Sequence, residues 1–200
     1  MTPTTQTPPR PARSVNGASK IVAPDRAVRS VAPADPATVE RPYVGYLWAV
    51  TRLCMGWVFL WPFLDKMFGL GHQTPVAQAW INGGNPTKGF LSGAVGPFAG
   101  IYHDIAGAGV INVLFMVGLI GIAVALLLGI AMRAACIAGA TMVVLMWSAS
   151  LPPQDDIFMD NHIIYALLLI GLAAVGAGKT LGLGKRWAQT GLVQRYRWLA

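Results

Sequence analysis

Residues Gly109–Ile130 read GVINVLFMVGLIGIAVALLLGI, twenty-two consecutive residues without a single charge. About 20 apolar residues in helical form cross a hydrocarbon core about 30 Å thick. In lipid, a lone segment satisfies its backbone N–H and C=O groups only as a helix, so this stretch predicts a transmembrane helix. Upstream, Gly45–Phe68 reads GYLWAVTRLCMGWVFLWPFLDKMF; its 24 residues make roughly 36 Å of helix and a first span. Downstream, Arg133 interrupts the apolar sequence and a third span follows over Ala134–Leu151, close to the shortest that crosses. Pro152-Pro153 breaks the chain, and a fourth span opens at His162 and runs to about Gly178. The reading is an all-α membrane protein: a four-transmembrane-helix bundle, residues 43–180, with a long outer loop between helices 1 and 2.

Composition agrees. Of the 200 residues 54% are hydrophobic and only 12% charged, about half the charge of an ordinary soluble domain, and the mean hydropathy is +0.53. The net charge of +7 sits in the N-terminal segment and beside apolar runs. Membrane lipids with anionic headgroups therefore explain it, and no nucleic-acid partner is implied. Residues 1–42 are rich in proline, threonine and alanine, lack an apolar signal core, and predict a disordered cytoplasmic tail. Twelve Lys and Arg residues flank the ends that include both termini, among them Arg41, Arg133, Lys179, Lys185 and Arg186. Lys66 and Lys88 are their counterparts on the other side. The bias predicts a multi-pass protein of the cell membrane with both termini cytoplasmic.

The loop Gly69–Ala108 is long for one without structure of its own. It predicts an outer cap with one or two short helices, broken at Gly83-Gly84-Asn85-Pro86. The C-terminal segment 181–200 contains KRWAQTGLVQRYRWLA, basic and aromatic residues at near-helical spacing, which predict an interfacial helix.

Candidate chemistry is sparse. Arg52 falls in the inner third of the first span, where it either snorkels to phosphates or faces the bundle and binds a polar group such as a quinone carbonyl. Asp65-Lys66 closes that span at the outer side, where His72, His103, Asp104, Asp155, Asp156, Asp160 and His162 also gather. Asp65, His103, Asp104 and Asp160 form a candidate polar outer cluster. No metal-ligand spacing is present, and a haem pair at His103 and His162 would need ligands at helix ends. Cys54 and Cys136 both lie in apolar runs and read as packing residues. Glycines such as Gly118, Gly121, Gly129 and Gly178 permit close helix approach.

Three stretches together resemble the DoxX/DoxD family of four-helix membrane proteins. Arg52-x3-Gly56-x2-Phe59, followed by Lys66-x2-Gly69, is similar to that family's R-x3-G-x2-F…G-x2-K-x2-G run, with Pro62-Phe63 in place of the usual small residue before the lysine. LLLGIAMRAA (Leu126 to Ala135) resembles its G-L-x-x-R turn, and GAGKTLGLGKRW (Gly176 to Trp187) its glycine-rich exit from the fourth span. The resemblance implies a membrane redox subunit of a quinone-linked oxidoreductase such as thiosulfate:quinone oxidoreductase. Arg52 and Lys66 match motif positions; with His162, Trp57 and Trp61 they are the candidate quinone-binding residues. The alternatives are a non-catalytic accessory or assembly subunit of a larger respiratory complex, with other protein subunits as partners, and a small transporter. The last has few polar residues at depth: Arg52, Asn112, Thr141 and Ser148.

Overall fold

The computed structural model describes residues 42–153, 159–196 and 198. The expected N-terminal tail, up to Arg41, and Asp155 and Asp156 lie outside the described residues. Every regular element among the described residues is helical. Helix α1 spans Pro42–Phe68, α2 Lys88–Ser92, α3 Ala99–Ile105, α4 Gly109–Leu128, α5 Met132–Ala149, α6 Asn161–Val175, α7 Gly184–Trp187 and α8 Gly191–Arg195. Short 3₁₀ turns stand at Val76–Gln78, Trp80–Asn82 and Ala177–Lys179.

Three helices, Tyr43–Phe68 of α1, Gly109–Leu128 and Met132–Ala149, are long and apolar enough to cross a membrane, which makes this a multi-pass membrane protein. The fourth apolar helix, α6, has 15 residues, roughly 22 Å of rise. It ends at Val175, three residues before the expected limit at Gly178, because Gly176 takes the left-handed conformation with φ 63°, and a 3₁₀ turn follows. Helix α5 begins earlier than expected. Ala131 turns the chain at φ 46°, so Arg133 stands in the first helical turn instead of outside it. Pro62 lies inside α1 without ending it.

Helix α1 packs on α4, α4 on α5, α5 on α6, and α6 returns to α1. The buried residues of α4 recur at Asn112, Met116, Leu119, Ala123 and Leu126, alternating steps of four and three that keep one face inward. Its opposite face, including Val110, Leu114 and Val117, is exposed, as a lipid-facing surface is. Between lipid-bathed helices, close packing replaces the hydrophobic effect as the cohesive force. All four helices meet at Gly139 of α5. A Cβ there would touch Phe59 of α1 at 3.3 Å, Ile122 of α4 at 3.3 Å and Leu169 of α6 at 3.1 Å.

Between α1 and α4 the chain forms two 3₁₀ turns and two short helices, with the break at Gly83–Pro86 where it was expected. The cap is pinned by side chains. The Asn112 Oδ1 accepts from the Thr87 amide at 3.1 Å and its hydroxyl at 2.6 Å. The Tyr102 hydroxyl of α3 pairs with Ser148 Oγ at 2.5 Å on α5. Asn112 therefore serves the cap between α1 and α4 rather than a mid-membrane path. The C-terminal segment is two one-turn helices instead of one interfacial helix, with Thr190 bonding back to the Trp187 carbonyl at 2.8 Å between them.

Candidate functional site

The two fully buried charges of the described residues, Arg52 and Asp65, stand near opposite ends of α1. Each is held by main chain. Helix α4 ends with four carbonyls that have no partner within the helix. Gly129 and Ile130 donate their amides to the Ala125 carbonyl at 2.8 and 3.0 Å. Arg52 Nη1 donates to the Leu126 carbonyl and to the Leu127 carbonyl, the latter at 3.0 Å. The Leu183 amide takes the Leu128 carbonyl at 2.8 Å. The helix end is thus completely capped, and the guanidinium charge lies at the negative pole of the helix dipole. Arg52 Nη2 also reaches the Leu181 carbonyl at 2.8 Å. Only its Nε lacks a partner among the described residues.

Glycine makes this approach feasible. A Cβ on Gly129 would meet Arg52 Nη1 at 2.9 Å and Gly178 Cα at 3.1 Å; one on Gly178 would meet the Gly129 carbonyl oxygen at 2.5 Å. One on Gly182 would meet Gly178 O at 2.6 Å and Arg52 Nη2 at 3.3 Å. The Arg52 run, the turn around Gly129 and the glycine-rich stretch from Gly176 are far apart in sequence and form one knot. The basic residues Arg133, Lys179, Lys185 and Arg186 belong to the same end of the bundle.

At the other end, Asp65 folds the chain back over α1. Its Oδ1 accepts the His72 amide at 3.2 Å and its Oδ2 the Gln73 amide at 3.2 Å, with the Thr74 hydroxyl as a further donor. The reversal begins at Gly69, whose φ of 66° and close approach to Val76 leave no room for a side chain. It brings the His72 ring edge-on to Trp61, 6.1 Å between centroids. Trp61 stacks in turn on Trp57 at 6.0 Å. Trp57 and His72 are exposed and Trp61 half-buried, so the three rings form an aromatic ledge on the outer surface of α1.

The candidate residues separate accordingly. Trp57 and Trp61 share the ledge. Arg52 precedes Trp61 by nine residues, half a revolution around the helix and roughly 13 Å along it, and points into the bundle. Lys66 is half-buried on another face of α1. His162 and Asp160 come together at the start of α6, with His162 Nδ1 2.7 Å from Asp160 Oδ2 and Asp160 Oδ1 accepting the His162 amide at 3.0 Å. His103 Nε2 pairs with the Ala94 carbonyl at 2.9 Å, and Asp104 is exposed on α3. Asp65, His103 and Asp160 therefore hold separate partners. No group of three His, Cys, Asp or Glu side chains able to hold a metal occurs among the described residues. Cys136 is buried and Cys54 exposed, both as free thiols.

His72 is the residue that reading the sequence did not join to the tryptophans. The available signal was the pair Gly69 and Gly71, both with positive φ, which turns the chain straight back after the helix. No protein-family model, curated protein or solved structure matches the chain.

Proposed function

We propose that the chain is a DoxX-like membrane redox subunit that interacts with a quinone. It would pass electrons from a small reductant or a partner protein to the quinone pool. The observation that carries this reading is the ledge of Trp57, Trp61 and His72 on the lipid-facing side of α1. A quinone headgroup is a flat apolar ring travelling within the bilayer, and it needs an apolar surface plus a polar group for its carbonyl oxygen. The two indoles supply the surface and the imidazole supplies the polar group. A bound quinone takes up two electrons and two protons to become the quinol, and His72 can donate or accept a proton at its edge.

In this reading the bundle crosses the cell membrane four times with both termini cytoplasmic. The basic end, with Arg133, Lys179, Lys185 and Arg186, supports that orientation. The fourth crossing is supported by α6 being continued by the turn Ala177–Lys179. Lys66 and His162 remain candidate donors on the outer side, and Arg52 on the inner.

A second reading, a non-catalytic accessory or assembly subunit of a larger membrane complex, is favoured by a specific observation. Charges buried within a membrane usually mark function, yet Arg52 and Asp65 both hold main-chain groups. One preparation separates the two. Protein purified from its native membrane in mild detergent is analysed for bound quinone and for co-eluting subunits. Retained menaquinone- or ubiquinone-type molecules, reduced when the natural partners are present, support the redox reading. A preparation that neither carries, binds nor reduces quinone discards it in favour of the accessory role.

A further inference from the structure

The basic end of the bundle carries a cleft of about 200 Å³ where the start of α5, the end of α6 and α7 meet. That is below the roughly 300–1,000 Å³ of a pocket that takes up a whole small molecule. Its walls differ in character. Arg133 and Lys179 line one part, and both are exposed. Ala173, Ala174 and Val175 line another, and Val175 is 48% exposed on the outer face of α6. Trp187 of α7 closes the rim. The floor is main chain, because Gly129, Gly178 and Gly184 are packed too closely against one another to carry side chains. Among the described residues neither cation forms an ion pair with a carboxylate; the only such pair is His162 with Asp160 at the far end.

We propose that this cleft binds the headgroup phosphate of an anionic phospholipid. The ligand chemistry is a phosphate ester held by two cations. Such a group also occurs on soluble molecules, but the apolar wall continues onto the lipid-facing surface of α6, where Ile170 and Leu167 are exposed. A lipid's acyl chains fit along that surface, whereas a soluble phosphate ester has nothing to place there. Trp187 stands at the level where indoles favour the membrane interface. Basic pockets between membrane helices are a general means of holding such headgroups. The site is separate from the quinone ledge at the other end of α1, and it stands or falls independently of the redox reading.

The test uses the full chain in detergent, titrated with phosphatidylglycerol or phosphatidylcholine and followed by native mass spectrometry. Each cation near an anionic headgroup strengthens binding about fivefold, so two give a preference of about twenty-five-fold for phosphatidylglycerol. The double variant Arg133→Gln/Lys179→Gln should bring that preference to about one. The charge-matched variant Lys185→Gln/Arg186→Gln removes two exposed basic residues that do not line the cleft, and it should keep most of the preference. Equal binding of the two lipids by the unaltered protein overturns the proposal, as does equal loss in the two double variants, which means diffuse electrostatics. Displacement of the lipid by millimolar inorganic phosphate or glycerol phosphate also overturns it, by assigning the cleft to a soluble ester.

Discussion

Arg52 donates through Nη2 to the carbonyl oxygen of Leu181 at 2.8 Å, joining residues 129 positions apart in sequence. Leu181 holds φ at 49°, a left-handed conformation that side chains other than glycine rarely adopt. The bond therefore lies where the backbone is under strain, and it fixes the exit from α6 to the first helix. An arginine within a span reads in isolation as a ligand-binding charge. Here its fork is matched to helix-end carbonyls, a use that a single point charge serves poorly.

The first prediction follows from that fork. Arg52→Met removes the donor while leaving the Leu126 and Leu127 carbonyls buried at the end of α4. An unsatisfied buried acceptor costs about 1–3 kcal/mol, so the variant should lose at least about 2 kcal/mol of stability. Arg52→Lys keeps a charge without the fork and should fall between. Thermal unfolding in detergent measures both, and an Arg52→Met variant as stable as the parent would mean the cap is dispensable.

Two glycines on α4 and at its end make a paired test. Gly129 has φ 72°, and a Cβ there would press on Arg52 Nη1 at 2.9 Å. Left-handed backbone costs a non-glycine residue about 1–2 kcal/mol before any clash, so Gly129→Ala should destabilise by more than that. A Cβ at Gly121 meets nothing within 4 Å, and Gly121→Ala should gain about 0.5–1 kcal/mol from helix propensity. Similar melting temperatures for the two variants would refute the knot around Gly129.

Three of the expected spans were legible because uninterrupted apolar runs such as Gly109–Leu128 need no partner to be read. The Gly83–Pro86 break also announced itself, since a turn uses local chemistry, whereas Gly129 and Gly176, which end α4 and α6 in left-handed conformations, fell inside runs read as continuous spans. Two local signals misled. Arg133 was read as an interruption because it is charged, but Ala131, an ordinary residue in a left-handed conformation, makes the turn. The near-helical spacing of the C-terminal aromatics suggested one helix, which is broken around Thr190 and Gly191. The partners of Arg52 and Asp65 were illegible for another reason. Carbonyls and amides carry no residue identity, so no pattern of side chains points to them.

Asp65 supplies the third prediction. Its carboxylate holds the amides of His72 and Gln73 at 3.2 Å each, and hydrogen bonds to a charged group contribute about 1.5–3 kcal/mol. Asp65→Ala should release residues 69–74 and make them a site of proteolytic cleavage, while Asp65→Asn, which keeps one acceptor oxygen, should be affected less. Limited proteolysis mapped by mass spectrometry distinguishes them. Unchanged resistance in Asp65→Ala would show that the turn holds without its anchor.

The orientation is tested by insertion. Gly83 is exposed at the break in the cap, so a reporter inserted there reports the side of the membrane on which the cap lies. A reporter active only outside the cytoplasm should work at Gly83 and stay silent when fused after Ala200. Activity at the C-terminus would place the basic end, Arg133 and Lys179 included, on the outer face.

The ledge of Trp57, Trp61 and His72, proposed above to bind quinone, gives the last prediction. An aromatic contact contributes about 0.5–1.5 kcal/mol beyond its buried area, and a neutral hydrogen bond contributes about as much. Trp61→Leu and His72→Ala should therefore each weaken quinone binding by up to about tenfold. The double variant should lose about ten- to a hundredfold, with little change in thermal stability because the ledge is a surface feature. Tyr46→Leu is the control: it removes an exposed aromatic from the same helix near its opposite end, where Tyr46 is 55% exposed. Binding is measured by titrating a short-tailed quinone and following tryptophan quenching, with retained native quinone assayed in parallel. A specific ledge requires loss in the Trp61 and His72 variants and none in Tyr46→Leu. Equal loss in all three would mean that quinone merely adsorbs to lipid-facing aromatics. Binding that survives the double variant would move the site away from the ledge, toward Lys66 or the Asp160–His162 pair at the start of α6.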